Sequence, residues 1–145
     1  MHEVKIKNFE ALHPGTSFPR HRHLDVVECE LLRATMASNL RLAGGSTALE
    51  ILQALEARAI DIQDVMPSEE SFCFAELFRR LQLESINIYV NWSSFDDIDE
   101  MALTTFSDAF DDLWYPSSDD IEIFDQSQKW VLLVRHFDVV QIVRM

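Results

Sequence analysis

The chain has no lysine or arginine between Arg80 and Lys129, although twelve of its 25 acidic residues lie in that interval. Eleven of these carboxylates fall within Phe95–Asp125, where six large aromatic residues are interleaved with them. A run of like charge is typical of disorder, but disordered segments lack the aromatic side chains that this one carries. We therefore expect this stretch to fold into an acidic surface that attracts basic partners.

The rest of the composition fits one domain. With 145 residues and 48% hydrophobic residues, the chain can bury a sizeable core without a disulfide or a metal. Cys29 and Cys73 therefore read as free thiols of a cytosolic protein, with a disulfide as the minor alternative. The net charge of −13 argues against nucleic acid or an anionic membrane as a direct ligand. We find no signal peptide or membrane span in the sequence, and we expect a cytoplasmic protein without a cofactor.

The N-terminal part contains a candidate strand at Val4–Phe9, followed by a loop that holds the basic cluster Arg20–His23. His13, His21 and His23 could in principle bind a metal. However, an arginine stands between the last two, and the loop offers no carboxylate or cysteine at ligand spacing. The favoured prediction is a loop that clamps onto the acidic half of the same chain.

Hydrophobic spacing then predicts helices. One runs over Asp25–Leu42 with Asp25 as N-cap and is stopped by Gly44-Gly45, and the next begins at Thr47 with capping-box spacing to Glu50. Asp61–Met66 reads as a linker. A third helix is predicted to open at Pro67-Ser68-Glu69-Glu70 and to continue through a stripe rich in phenylalanine.

In the C-terminal half the hydrophobic pattern switches between the two-residue period of a strand and the roughly 3.6-residue period of a helix. Ser85–Trp92 reads as a half-buried strand and Ser93–Trp114 as a fourth helix with its aspartates in water. Three short strands follow, at Asp120–Phe124, Lys129–Val134 and Val139–Val143. The predicted fold is α+β: one domain over residues 1–145, with an antiparallel sheet of four to five strands that includes a C-terminal β-meander. About four helices pack mainly on one face of this sheet.

The sequence carries few motifs for catalysis. It has no Gly-rich phosphate loop, no nucleophile elbow, no Cys-x-x-Cys pair and no His-Glu-x-x-His helix. His136 and Asp138 fall in a predicted turn, which favours a structural histidine over a general base. The Asp-Asp pairs at 96/97, 111/112 and 119/120 could attract Mg²⁺ or Ca²⁺, but the acidic block lacks the glycine of an EF-hand loop. We therefore predict a protein that is not an enzyme.

One stretch resembles a known class of proteins. The residues DLWYPSSDDIEIFD at Asp112–Asp125, together with Trp130-Val131-Leu132-Leu133 and His136, look like the C-terminal part of small bacterial immunity proteins. Such proteins are encoded beside secreted or contact-delivered toxins. The resemblance implies a cytoplasmic antitoxin that binds a toxin domain and blocks its active site.

Together these observations predict an acidic immunity protein that neutralises a basic toxin domain, most simply a nuclease, because nucleases need positive surfaces to hold phosphate. Two alternatives stay open: a phage-type inhibitor that mimics nucleic acid, and a metal-dependent enzyme that uses His13, His21, His23 or the Asp pairs. Charge and expected exposure place the partner-binding surface at the end of the fourth helix and the turn after it. Its residues are Asp108, Asp111, Asp112, Trp114, Tyr115, Asp119 and Asp120.

Overall fold

The computed structural model describes residues 3–145, which form five helices and one antiparallel sheet of seven strands. The helices are α1 Glu3–Leu12, α2 Val26–Asn39, α3 Ala48–Arg58, α4 Phe74–Leu81 and α5 Leu103–Leu113. The strands are β1 His21–His23, β2 Ile60–Asp61, β3 Asn87–Ser93, β4 Asp97–Ala102, β5 Ile121–Phe124, β6 Trp130–Arg135 and β7 Val139–Arg144. They are ordered β1-β4-β3-β5-β6-β7-β2 across the sheet. The α+β class is confirmed, with more strands and helices than the sequence predicted.

The C-terminal meander forms the centre of this sheet, and its three predicted strands are confirmed. In β5–β6 Ile121 lies opposite Val134, and in β6–β7 Trp130 lies opposite Arg144. Both strand pairs are antiparallel and joined by short turns. Every residue of β5 and β6 is buried, as expected for central strands covered on both faces.

Helices cover both faces of the sheet, so the prediction of helices mainly on one face is wrong. On one face α4 and α5 pack onto a core that includes Phe74, Phe78, Phe106 and Trp130. On the other, α2 and α3 pack onto a second core that includes Met36, Ile51, Phe124 and Leu133. Alternate residues of the central strands therefore enter different cores, and these strands have no polar face.

The predicted helix over Ser93–Trp114 is wrong in its first half. Residues 97–102 form β4, which makes a hairpin with β3 and lies opposite it from Ala102 to Asp97. Only 103–113 are helical. The hairpin turns at Ser94 and Phe95, which both have positive φ, at 51° and 56°. Such turns usually carry Asn-Gly, and the absence of that signal is why the hairpin was missed.

The N-terminal segment is also corrected. Val4–Phe9 lies inside helix α1 and is not a strand. The buried residues of α1 are Lys5 and Phe9, one helical turn apart, whereas Val4 is 60% exposed. The buried face of α1 includes the charged residue Lys5. A search for apolar residues at helical spacing therefore does not detect it.

The two helices with capping boxes were predicted correctly at their starts. Asp25 accepts a hydrogen bond from the Glu28 N–H and caps α2, and Thr47 caps α3 in the same way through Glu50. In return, the Thr47 N–H and hydroxyl donate to the Glu50 carboxylate and lower its pKa, and hydrogen bonds from the Arg22 side chain and the Asp25 N–H lower the pKa of Glu28. Helix α2 ends at Asn39, several residues before the glycine pair expected to stop it.

Between α3 and β3 the predicted start of the third helix is wrong, and the predicted linker is corrected at its first residue. The third helix begins at Phe74, and Pro67 lies in a turned segment whose Ser68 binds the Asp138 carboxylate through N–H and hydroxyl, at 2.9 and 2.7 Å. The linker predicted at Asp61–Met66 is confirmed over 62–66, whereas Asp61 belongs to β2, which pairs with β7 at one edge of the sheet. Because β1 pairs with β4 and β2 pairs with β7, all seven strands of 3–145 belong to one sheet. No helix within this range is long and apolar enough to cross a membrane.

Candidate functional site

The predicted partner-binding residues lie at the end of α5 and in the loop that leads to β5. Helix α5 turns its aromatic side, with Phe106 and Phe110, into the core, as its spacing predicted. Asp108 and Asp111 are exposed on the opposite side. Neither side chain forms a hydrogen bond or ion pair with another residue of 3–145. The expectation of solvent-facing aspartates on this helix is therefore confirmed for these two.

Trp114 does not face solvent, so its predicted exposure is wrong. The side chain is 2% exposed and stacks on Phe110, with ring centroids 5.3 Å apart and an angle of 9° between the planes. Its indole N–H donates to the Asp119 carbonyl at 2.9 Å. This tryptophan is a core residue that holds the following loop against α5, and as packed it offers a partner no anchor.

The N-terminal helix occupies a large part of the predicted surface. Lys5 of α1 is 4% exposed, and its Nζ donates to the Leu113 carbonyl at 2.6 Å and pairs with the Asp119 carboxylate. The same ammonium lies 3.9 Å from the centre of the Tyr115 ring. Lys5 therefore satisfies a carbonyl at the C-terminus of α5 and neutralises the adjacent loop.

Two further side chains of the N-terminal segment bind the same surface. His13 Nε2 lies 3.0 Å from both carboxylate oxygens of Asp112, and the Asn8 amide donates to the Tyr115 hydroxyl at 3.1 Å. Asp112 and Tyr115 are consequently half-buried. The sequence did not predict a role for Lys5 and Asn8, because their segment was expected to form a strand and not a helix against the acidic loop.

The structure also pairs Asp120 within the chain. Its carboxylate accepts hydrogen bonds from the His136 N–H at 2.8 Å and from His136 Nδ1 at 2.9 Å. The turn at His136–Asp138 is confirmed. However, His136 binds Asp120, whereas Asp138 binds Ser68, so the two residues weighed as an acid–base pair point to different partners.

An open concavity lies between α1 and the C-terminal end of α5, and we call it the α1–α5 groove. It has a volume of about 330 Å³ and is lined by Asn8, Ala11, Leu12, Asp111, Asp112 and Tyr115. Leu12 is 70% exposed. Three predicted residues therefore come together here, beside an uncovered aliphatic side chain that the sequence did not single out.

Asp119 and Asp120 line a different cavity, of about 410 Å³, at the ends of β3, β5 and β6. Its floor is a buried polar network in which Glu122 accepts from Asn91 Nδ2 at 2.6 Å and from Arg135 at 2.8 Å. Burial raises the pKa of Glu122, while Arg135 and Asn91 oppose that rise. All its carboxylates already have partners within the chain, so the cavity offers a ligand fewer unpaired groups than the α1–α5 groove.

The basic cluster clamps onto the acidic half of the chain, as predicted, although it does so as a strand. Arg22 Nε donates to Glu100 at 2.8 Å and Nη1 to Glu28 at 2.6 Å, and these bonds raise the pKa of Arg22. The three histidines of the metal alternative do not converge. His21 Nδ1 donates to the Pro19 carbonyl at 3.0 Å, whereas His13 binds Asp112 and His23 binds Asp99.

Comparison of the chain with family models, with curated proteins and with solved structures gives no match.

Proposed function

We propose that this protein is an acidic, non-enzymatic binding protein of the immunity type, which neutralises a basic toxin domain of the nuclease class. The observation that carries the proposal is the α1–α5 groove. Its Asp111 carboxylate faces solvent beside aliphatic and aromatic surface, in a chain of net charge −13. The resemblance of Asp112–Asp125 to immunity proteins supports the same function.

The groove fits the long basic side chains of such a partner. A lysine or arginine carries an aliphatic stem and a charged head, and the two parts need different surroundings. Leu12 and Ala11 provide apolar surface for the stem, and Asp111 provides a carboxylate for the head. Arginine is the better match, because its planar guanidinium can also stack on an aromatic ring such as Tyr115.

The internal contacts change which predicted residues carry the binding energy. Asp112 and Asp119 already pair with His13 and Lys5, so a partner would have to displace these groups to use the two carboxylates. Asp108 and Asp111 are exposed and need no such displacement. We therefore place the centre of the contact on Asp108, Asp111 and Leu12, and we assign Trp114 a structural role.

The proposal predicts that a toxin-type domain is encoded beside this gene, and that domain, as a purified protein or an inactive variant, is the partner for the test. Wild type should bind it and inhibit its nuclease activity. The variant Asp108→Asn/Asp111→Asn should bind at least about tenfold more weakly, since a carboxylate paired with a desolvated basic side chain costs more than about 1.4 kcal/mol when removed. Leu12→Ala should also weaken binding, by a smaller factor.

A matched control separates a specific site from bulk charge. Glu30→Gln/Asp96→Asn removes the same number of charges from exposed positions near α2, on the other face of the sheet. It should leave the equilibrium affinity nearly unchanged. Equal weakening by the two double variants would reject the groove as the site, and no inhibition by wild type would reject the immunity function itself.

A further inference from the structure

We propose that His23, Asp97 and Asp99 form a binding site for one divalent transition-metal ion at the edge of the sheet. The site lies on β1 and β4, apart from the α1–α5 groove, and it does not depend on the proposed toxin partner. Its three candidate ligand atoms all lie within 4.8 Å of one another. The donor set is one imidazole nitrogen and two carboxylate oxygens.

Strand pairing brings these side chains together. In the β1–β4 ladder His23 lies directly opposite Asp99, and Asp97 precedes Asp99 by two residues, so all three side chains project from the same face. His23 Nδ1 is 2.9 Å from Asp99 Oδ1 and 3.9 Å from Asp97 Oδ1. Two ligands of a tetrahedral zinc ion are separated by roughly 3.4 Å. Small side-chain rotations would therefore bring the three atoms to coordination distance.

Two features of the sequence argued against a metal at His23: the neighbouring Arg22 and the lack of carboxylates in the loop. The structure accounts for both. Arg22, between the two histidines, projects from the other face of β1 and is held by Glu28 and Glu100. The missing carboxylates come from β4 across the ladder and not from the loop itself. Neither fact can be read from the local sequence around His23.

The surroundings of the site suit ligation. Asp99 is fully buried, and its second oxygen, Oδ2, accepts a hydrogen bond from the Trp92 indole N–H at 2.7 Å. Such a bond orients a ligating carboxylate, and Oδ1 lies 2.9 Å from His23 Nδ1. The His23 side chain is 57% exposed, so an ion can enter from solvent.

The donor set selects the class of ion. Imidazole nitrogen suits zinc, copper, iron and nickel, whereas calcium and magnesium prefer sites made of oxygen ligands only. Three protein ligands also leave a coordination position open for water or for a group from another molecule. The expected occupant is Zn²⁺ or a similar transition-metal ion, which would tie the three-residue edge strand β1 to β4.

The test is a calorimetric titration of the metal-stripped protein with Zn²⁺ in physiological salt and excess Mg²⁺, so that weak binding to other carboxylates is suppressed. We expect saturable binding of one ion per chain and a higher melting temperature with zinc than without it. His23→Ala and Asp97→Asn should each weaken zinc binding at least about tenfold. Metal affinity can fall by that factor even when the lost side chain only hydrogen-bonds to a ligand.

Two controls match these variants. His21→Ala removes the other histidine of β1, whose Nδ1 is bound to the Pro19 carbonyl, and Asp108→Asn makes the same charge change as Asp97→Asn on a different surface. Both should bind zinc like wild type. Absence of a one-to-one zinc site, or unchanged affinity in His23→Ala, would overturn the proposal. His23→Ala should still fold, because the His23 side chain is largely exposed and belongs to neither core.

Discussion

Lys5 is the single residue on which the predicted surface most depends. Its ammonium is buried against the Leu113 carbonyl, the Asp119 carboxylate and the Tyr115 ring. Replacing it with alanine would remove the donor to the Leu113 carbonyl and would leave the Asp119 carboxylate with neutral donors only, the Tyr115 N–H and the Ser118 hydroxyl. Losing one partner of a buried charge pair costs about 3–5 kcal/mol. We expect Lys5→Ala to fall at the lower end of this range, because the Asp119 side chain is 20% exposed.

Urea unfolding measures this loss, and Lys7→Ala is its matched control. Lys7 stands on the same helix, but its side chain is 74% exposed and its contact with Glu3 is 3.7 Å long. An exposed pair of this kind contributes roughly 0–1 kcal/mol. Similar free energies of unfolding for the two variants would mean that Lys5 is not the tie between α1 and the loop.

Glu122 makes the free energy of unfolding depend on pH, and the direction of this dependence follows from its pKa. Burial raises the pKa of this carboxyl in the folded state, whereas in the unfolded chain it lies near about 4.3. Below that value both states hold the proton. As pH rises from there through the folded-state pKa, the unfolded state loses its proton first, and the free energy of unfolding falls.

The variant Glu122→Gln isolates this contribution, since an amide has no proton to lose. Wild type should be most stable relative to the variant near pH 4 and should lose that advantage as pH rises toward neutrality. The measurement is a series of urea unfolding curves at low protein concentration, because the pI of about 4.6 lies in the range studied. If the advantage of wild type instead grew with pH, the pairing with Arg135 would outweigh burial, and Glu122 would have a lowered pKa.

At the scale of elements, the sequence predicted those whose signals are local. The starts of α2 and α3 could be predicted from Asp25 and Thr47, because a capping box is formed by residues only three positions apart. The meander was found because its strands are short apolar runs between turn residues. Strand β4 was missed because Ile98 and Asp99 are both fully buried, in contact with different sides of the sheet. A strand buried on both faces shows no alternation that could separate it from a helix.

The end of α4 provides a prediction at this scale. Gln82 follows the helix with φ 56°, and the N–H groups of Gln82 and Leu83 donate to the Arg79 and Phe78 carbonyls. This is a Schellman motif, in which the left-handed position favours glycine. Because Gln82 is exposed, Gln82→Gly should remove backbone strain without losing packing, and it should stabilise the protein by about 0.5–1 kcal/mol.

Thermal unfolding checks this expectation, with Glu84→Gly as the comparison. Glu84 is also exposed, lies two residues further on and has no positive φ. There glycine gains nothing in the folded state and adds entropy to the unfolded chain, so the variant should be slightly destabilised. Destabilisation of equal size at both positions would show that the conformation at residue 82 costs the wild type little.

At the scale of the whole molecule, the candidate site could be predicted only in part. Charge placed the acidic surface on α5, and Asp108 and Asp111 are exposed there as expected. Sequence could not reveal that α1 packs against the following loop, because Lys5 and Asp119 are 114 positions apart. For the same reason the proposed metal site was out of reach, since His23 and Asp99 meet only through pairing of distant strands.

The distribution of charge also sets how the folded state responds to salt. The chain carries 25 acidic and 12 basic residues, and several of the basic ones are already paired internally, including Lys5, Arg22 and Arg135. The remaining surface is therefore strongly negative and repels itself in the compact state. Added salt screens this repulsion, since the Debye length falls from about 30 Å at 0.01 M to about 4–5 Å at 0.5 M.

We therefore expect the melting temperature to rise by roughly 2–4 °C between about 0.01 and 0.5 M NaCl, which for a chain of this size corresponds to about 1 kcal/mol. Salt also weakens the internal ion pairs, but Lys5 and Arg135 are buried and screened far less than the exposed carboxylates. Asp108→Asn/Asp111→Asn removes two negative charges and should flatten the rise. A melting temperature that falls with salt would show that the internal pairs outweigh the repulsion, so that the acidic surface would cost the fold little stability.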